Sequence, residues 1–268
     1  MTGALDSILA AVDRVDEELA HVEDTSKAFE RFDAGVRTLD PAPLSNGGGA
    51  ASADGGTVPV SPPVRRSGPT TSSAEQVRSL FEDTVRPYSV ADLDEPEPLT
   101  ATMSEELGDG IAAVLDPSTP GRFTAEVQQS VHAAVEQRQA ELRAMERALE
   151  TERESLVESL KRLDATREWL EEADERPLSA LGFEGLRERH ERLETHRSRC
   201  EEVADARQTV LDGTTSEGTK TGLTHRSLVE YLSQERSSTY PVLSAVARFE
   251  ATCRDCQQTV RNHLTRRV

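Results

Sequence analysis

VEQRQAELRAMERALETERESLVESLKRLDATREWL, residues 135–170, places Val135, Leu142, Leu149, Leu156, Leu163 and Leu170 at every seventh position. A repeat of seven at 3.6 residues per turn keeps those side chains on one helix face. Val127, Val131, Met145, Leu160 and Trp169 widen the stripe. The row three positions further on is poor in apolar residues: Arg138, Glu152, Ser159 and Thr166 occupy it. The pattern predicts one helix over 124–175, about 75–80 Å long at 1.5 Å per residue. Its narrow seam predicts that part of the helix projects into solvent. Pro177 ends it.

A partner helix is expected over 182–211, with Leu186, Leu193, Cys200, Val203 and Val210 in line. The short connection 176–181 predicts an antiparallel hairpin. Residues 212–222 read as a loop. Thr224 then caps a helix, with Leu223 and Leu228 as a hydrophobic staple. Pro241 opens a final helix over 241–266, whose core face carries Val242, Val246, Phe249, Cys253, Cys256, Val260 and Leu264.

Upstream, residues 5–39 form a heptad helix with Leu5, Val12 and Leu19 at a and Ile8, Val15, Val22, Phe29 and Val36 at d. Ser73 and Gln76 read as a capping box for a helix over 74–86, which Pro87 ends. Another helix is expected over 100–115, with Gly108 and Gly110 inside it. The fold class expected is all-α: an elongated helical bundle with a long antiparallel coiled-coil hairpin and an N-terminal heptad helix. The domains expected are the helix 1–40, a disordered Gly/Pro/Ser-rich linker 41–73, and a helical bundle 74–268. That bundle holds the hairpin 124–211 and the C-terminal helices 224–267.

The charge is lopsided. Of 31 basic residues only Lys27, Lys161 and Lys220 are lysine, against 49 acidic residues and a net charge of −18. A net charge so far from zero works against a compact state unless salt screens it. The Debye length falls from roughly 8 Å at physiological salt to about 3 Å at 1 M. The lysine-poor acidic composition predicts a protein built for molar salt, a haloarchaeal one. Glu146, Glu150, Glu154 and Glu158 stack four apart on one helix face and repel one another at low salt. The N-terminal residues are not basic and lead into no apolar run, and no stretch approaches the length of a membrane span, so a cytoplasmic location is expected.

Few motifs carry chemistry. Cys253-x-x-Cys256 has the spacing of a metal or redox pair. Both thiols, however, fall on the core face of a helix, where cysteine packs as a small hydrophobe. Cys200 and His263 complete a ligand set only if their helices bring them to Cys253 and Cys256. His190 and His196 stand six apart rather than the four of a zinc-protease helix. Gly108-Asp109-Gly110 follows no strand, so it is no dinucleotide loop. No phosphate loop, nucleophile elbow or convergent catalytic set is present, and neither catalytic residues nor a cofactor are expected. The helix 124–176 has 14 acidic residues against 8 basic ones, which disfavours nucleic acid. The last helix is the one basic island, with Arg248, Arg254, Arg261, Arg266 and Arg267.

Ala28-Phe29-Glu30-Arg31-Phe32, Phe81-Glu82-Asp83-Thr84-Val85, Phe123-Thr124 and Thr239-Tyr240-Pro241-Val242-Leu243-Ser244-Ala245-Val246-Ala247 together resemble a haloarchaeal family of helical proteins classed as a domain of unknown function. The resemblance spans nearly the whole chain outside 40–73. It implies the helical fold and the saline habitat and assigns no activity. The function expected is a non-enzymatic scaffold or protein–protein interaction module, acting on a protein partner or by self-association through its helical seams. The alternatives are a regulatory or nucleoid-associated protein using the basic C-terminal helix, and a thiol or metal sensor through Cys253 and Cys256.

Overall fold

The heptad rows become helices almost where the pattern puts them. A computed structural model describes residues 2–42, 72–90, 97–119, 122–213, 224–234 and 238–266. Among these the elements are α1 (Thr2–Arg37), α2 (Ser73–Thr84), α3 (Arg86–Ser89), α4 (Leu99–Leu107), α5 (Asp109–Leu115), α6 (Ala125–Asp174), a 3-10 turn (Leu178–Ala180), α7 (Phe183–Asp212), α8 (His225–Leu232) and α9 (Pro241–Thr265), with no strand. The fold is all-α. Most of the linker expected at 41–73, the middle of the acidic stretch 88–98, the loop with Leu223, and Arg267 lie outside the described residues.

The chain forms two compact units: residues 21–143, and residues 1–20 together with 144–268. The helices α1 and α6 therefore each contribute to both. In the unit 21–143, Phe29, Phe32 and Val36 of α1 are buried, as are Val77 and Phe81 of α2. Phe32 and Phe81 meet edge to face at 5.6 Å, a favoured aromatic geometry. Gly35 permits the approach, since a Cβ there would come 3.0 Å from Leu80. Two side chains satisfy helix-end carbonyls. Gln128 Nε2 donates to the carbonyls of Val36 and Leu39, and Arg78 Nη1 to that of Leu115.

Local details differ from the sequence expectation. The N-cap of α2 is Ser72, whose hydroxyl accepts from the Glu75 amide, while Ser73 is already helical and donates to the Asp40 carbonyl. The cap is thus Ser72, one residue earlier than the Ser73–Gln76 reading. Pro87 lies in the first turn of the short α3. The helix expected over 100–115 is broken in two. Gly108 has φ +92° and ψ 151°, a conformation essentially reserved for glycine, and it ends α4 and opens α5.

In the other unit the leucine row of α6 is buried as the heptad requires: Leu149, Leu156, Leu163 and Leu170. On α1, Ile8 and Val15 at d are buried, whereas Val12 and Leu19 at a are only half-buried. Contacts between α6 and α7 run antiparallel: Thr166 meets His196 and Glu152 meets Arg207. α9 packs chiefly on α7. The poor row of α6 is not a solvent-facing edge. Glu152, Ser159 and Thr166 are all buried: α7 and α8 bring polar partners to Glu152, α7 brings His196 to Thr166, and the Ser159 hydroxyl donates to the Ser155 carbonyl of its own helix.

Candidate functional site

Glu152 is the hub of the buried polar groups. Arg207 Nη2 donates to its Oε1 at 2.6 Å and Arg207 Nη1 to its Oε2 at 2.8 Å, a bidentate fork. His225 Nε2 donates to Oε2 at 2.7 Å. Arg207 Nη1 also reaches Ser155 Oγ at 3.0 Å. The cluster is nearly dry: Arg207 is 1% exposed, Glu152 3% and His225 3%. Burial alone would push the Glu152 carboxyl up. The hydrogen bonds from His225 and Arg207 and their attraction outweigh it, and the pKa lies below the ordinary 4.5.

The positions of these residues follow from the rows. Arg207 continues the heptad Leu186, Leu193, Cys200 on α7, so a helix that buries the first three buries the arginine too. Glu152 lies on the poor row of α6, and His225 is the first residue of α8. None of the three was expected as a site residue. The legible signal was a charge of opposite sign in a core row of each hairpin arm.

Further along the same seam, His196 Nδ1 lies 3.1 Å from Thr166 Oγ1, and its ring stacks on Trp169 at 4.5 Å. Arg192 caps the indole at 5.7 Å from the ring centroid. Burial, then the nearby Arg199 and Arg192, lower the His196 pKa to about 4, so the ring is neutral at pH 7. Between α7 and α9, Arg197 donates to Glu250 at 3.1 Å and to Gln257 Oε1 at 3.2 Å, and Gln257 Nε2 donates to Glu194 at 2.8 Å. Gln257 thereby takes a buried position on α9, and Cys256 beside it is only half-buried rather than in the core.

Cys200 and Cys253 are both buried and free. Burial raises the Cys200 thiol to about 11 and the Cys253 thiol to about 12, and raises Cys256 as well. Thiols so disfavoured as thiolates are poor nucleophiles and poor ligands. Among the described residues no three His, Cys, Asp or Glu side chains stand together as a metal site, and His263 is half-buried near the end of α9. The exposed arginines of α9 do not share one face. At about 100° per residue, Arg248 and Arg266 coincide in bearing, whereas Arg254 and Arg261 lie about 120–140° away. Arg254 is engaged by Glu250. A groove of about 230 Å³ runs between α6 and α7, with Val203, Ala206 and Val210 on one side and Glu154, Glu158 and Arg162 among the residues on the other.

Together these features define an all-α protein whose helices are keyed by polar groups buried along their seams. Residues 6–257 match the family model described as Domain of unknown function (DUF7260), and the chain belongs to that family. No curated protein and no solved structure matches it. Among the described residues no helix is long and apolar enough to cross a membrane.

Proposed function

We propose that this protein is a non-enzymatic helical scaffold that acts by binding a protein partner in a saline cytoplasm of the haloarchaeal kind. The observation that carries the reading is the Glu152–Arg207–His225 cluster. Among the described residues it is the most deeply buried group of ionisable side chains, its carboxylate is hydrogen-bonded on both oxygens, and solvent barely touches it. Such a cluster fixes how helices sit against one another and leaves no room for a reacting molecule. Outward, Leu9, Val157, Phe183 and Tyr231 are exposed large side chains, of the kind that anchors a partner. The sensor reading is weaker because burial holds the thiols protonated. The nucleic-acid reading is weaker because the arginines of α9 divide between two bearings.

Affinity purification from a halophilic host in about 2–3 M KCl, where charge is screened within about 3 Å, tests the proposal when followed by mass spectrometry and light scattering. A defined protein partner or a self-assembly is expected. A compact monomer that retains no protein would sink it.

A further inference from the structure

We infer that α8 is a latch: it opens as a unit of its own, and His225 seats it on the Glu152–Arg207 pair. The inference starts from length. α8 has eight residues, and isolated helices shorter than about 12–15 residues are marginal in water. Its helicity therefore depends on being docked.

The polar attachments of α8 lie mostly at the surface: the Tyr240 hydroxyl donates to Glu230 at 3.4 Å, and Arg226 also bonds Tyr240. Leu228, Val229 and Leu232 are buried, and the helix packs on α7. Thr224 caps it by accepting from the Ser227 amide at 3.2 Å, a tie within the segment itself. Arg226 pairs with Asp212 at 2.8 Å, but both side chains are at least half exposed, and such pairs contribute little. A buried hydrogen bond, His225 Nε2 to Glu152 Oε2 at 2.7 Å, holds α8 to α6.

The seat is complete without the latch. Arg207 already binds both oxygens of Glu152 and is itself braced by Ser155. When α8 lifts, the charge on Glu152 keeps its counter-ion, and the movement that removes His225 admits water to the vacated side of Oε2. Removing α7 instead would strand a buried carboxylate, which is strongly unfavourable. α7 and α9 are also 30 and 25 residues long with extended mutual packing, so they open only when the whole unit does. Local opening drawn from the least-anchored element is the expected order.

Hydrogen exchange on the full chain in molar KCl, read by mass spectrometry, tests this. Amides of 225–232 are expected to exchange at least about tenfold faster than those of 186–207 and 242–260, and with little dependence on denaturant. His225→Ala removes one hydrogen bond to a buried charge and should speed α8 by a further tenfold or so, leaving 186–207 and 242–260 unchanged. His225→Gln retains a donor and should return the rate part of the way. The inference is overturned if α8 exchanges together with α7 and α9 at one rate and with one denaturant slope. It is equally overturned if His225→Ala accelerates all three alike. Neither outcome depends on whether a protein partner exists.

Discussion

Glu152 shares its row on α6 with Ser159 and Thr166, and Arg207 continues a row on α7 filled by Leu186, Leu193 and Cys200. Their energetics are asymmetric. A buried ion pair adds little over an apolar pair of the same volume, but losing one partner leaves a charge in a dry place. Arg207→Met should therefore cost about 3–5 kcal/mol in urea unfolding at molar KCl. The double variant Glu152→Leu, Arg207→Met should recover most of that loss. If the double variant is as unstable as the single one, the stranded charge is not the cause. His196 gives a pH signature. Its folded pKa, about 4, is depressed below the unfolded 6.5, so the unfolded chain binds the proton first as pH falls. Stability from this group is complete above 6.5 and is lost as pH drops toward 4. His196→Phe should flatten the stability profile between pH 6.5 and 4.5, and thermal melts across that window would reveal it.

Among the elements, the break between α4 and α5 is the sharpest departure from simple periodicity. The apolar spacing of Met103, Leu107, Ile111, Val114 and Leu115 passes through it without a signal, since a helix and two helices joined at one residue share nearly the same period. The glycine was the available hint. Gly108→Ala should destabilise by about 1–3 kcal/mol, because no side chain is comfortable at its φ and ψ. Gly110→Ala, at the second position of α5 with nothing within 4 Å of an added Cβ, should stabilise by about 0.4–1 kcal/mol. Calorimetry of the pair separates backbone strain from helix propensity; equal effects of the same sign would refute the assignment. The N-cap of α2 shows the ordinary limit at a boundary. Ser72-Ser73-Ala74-Glu75-Gln76 offers two overlapping boxes, and the contact of Ser73 with Asp40, far away in sequence, accompanies the choice of Ser72 as the cap.

At the scale of the whole molecule, charge and topology are separate matters. Glu150, Glu154 and Glu158 are exposed on α6, and Glu158 pairs with Arg162 at 2.8 Å. Raising KCl from about 0.1 M to about 2.5 M should raise helicity and melting temperature, as screening shortens from about 10 Å to below 3 Å. Equal midpoints in circular dichroism at the two concentrations would refute it. The amino-acid sequence by itself determined the helices, their leucine rows and the antiparallel sense of α6 and α7, because a period of seven and a short connection are local facts. It also placed Glu152 and Arg207 in core rows without saying that they meet. Only the tertiary structure decided that the poor row of α6 is buried rather than wet. That outcome needs Arg207 from 55 residues away and His225 from 73 residues away to arrive at one carboxylate. Whether a polar residue on a seam is a defect or a key depends on its partners, and partners so distant in sequence leave no periodic trace.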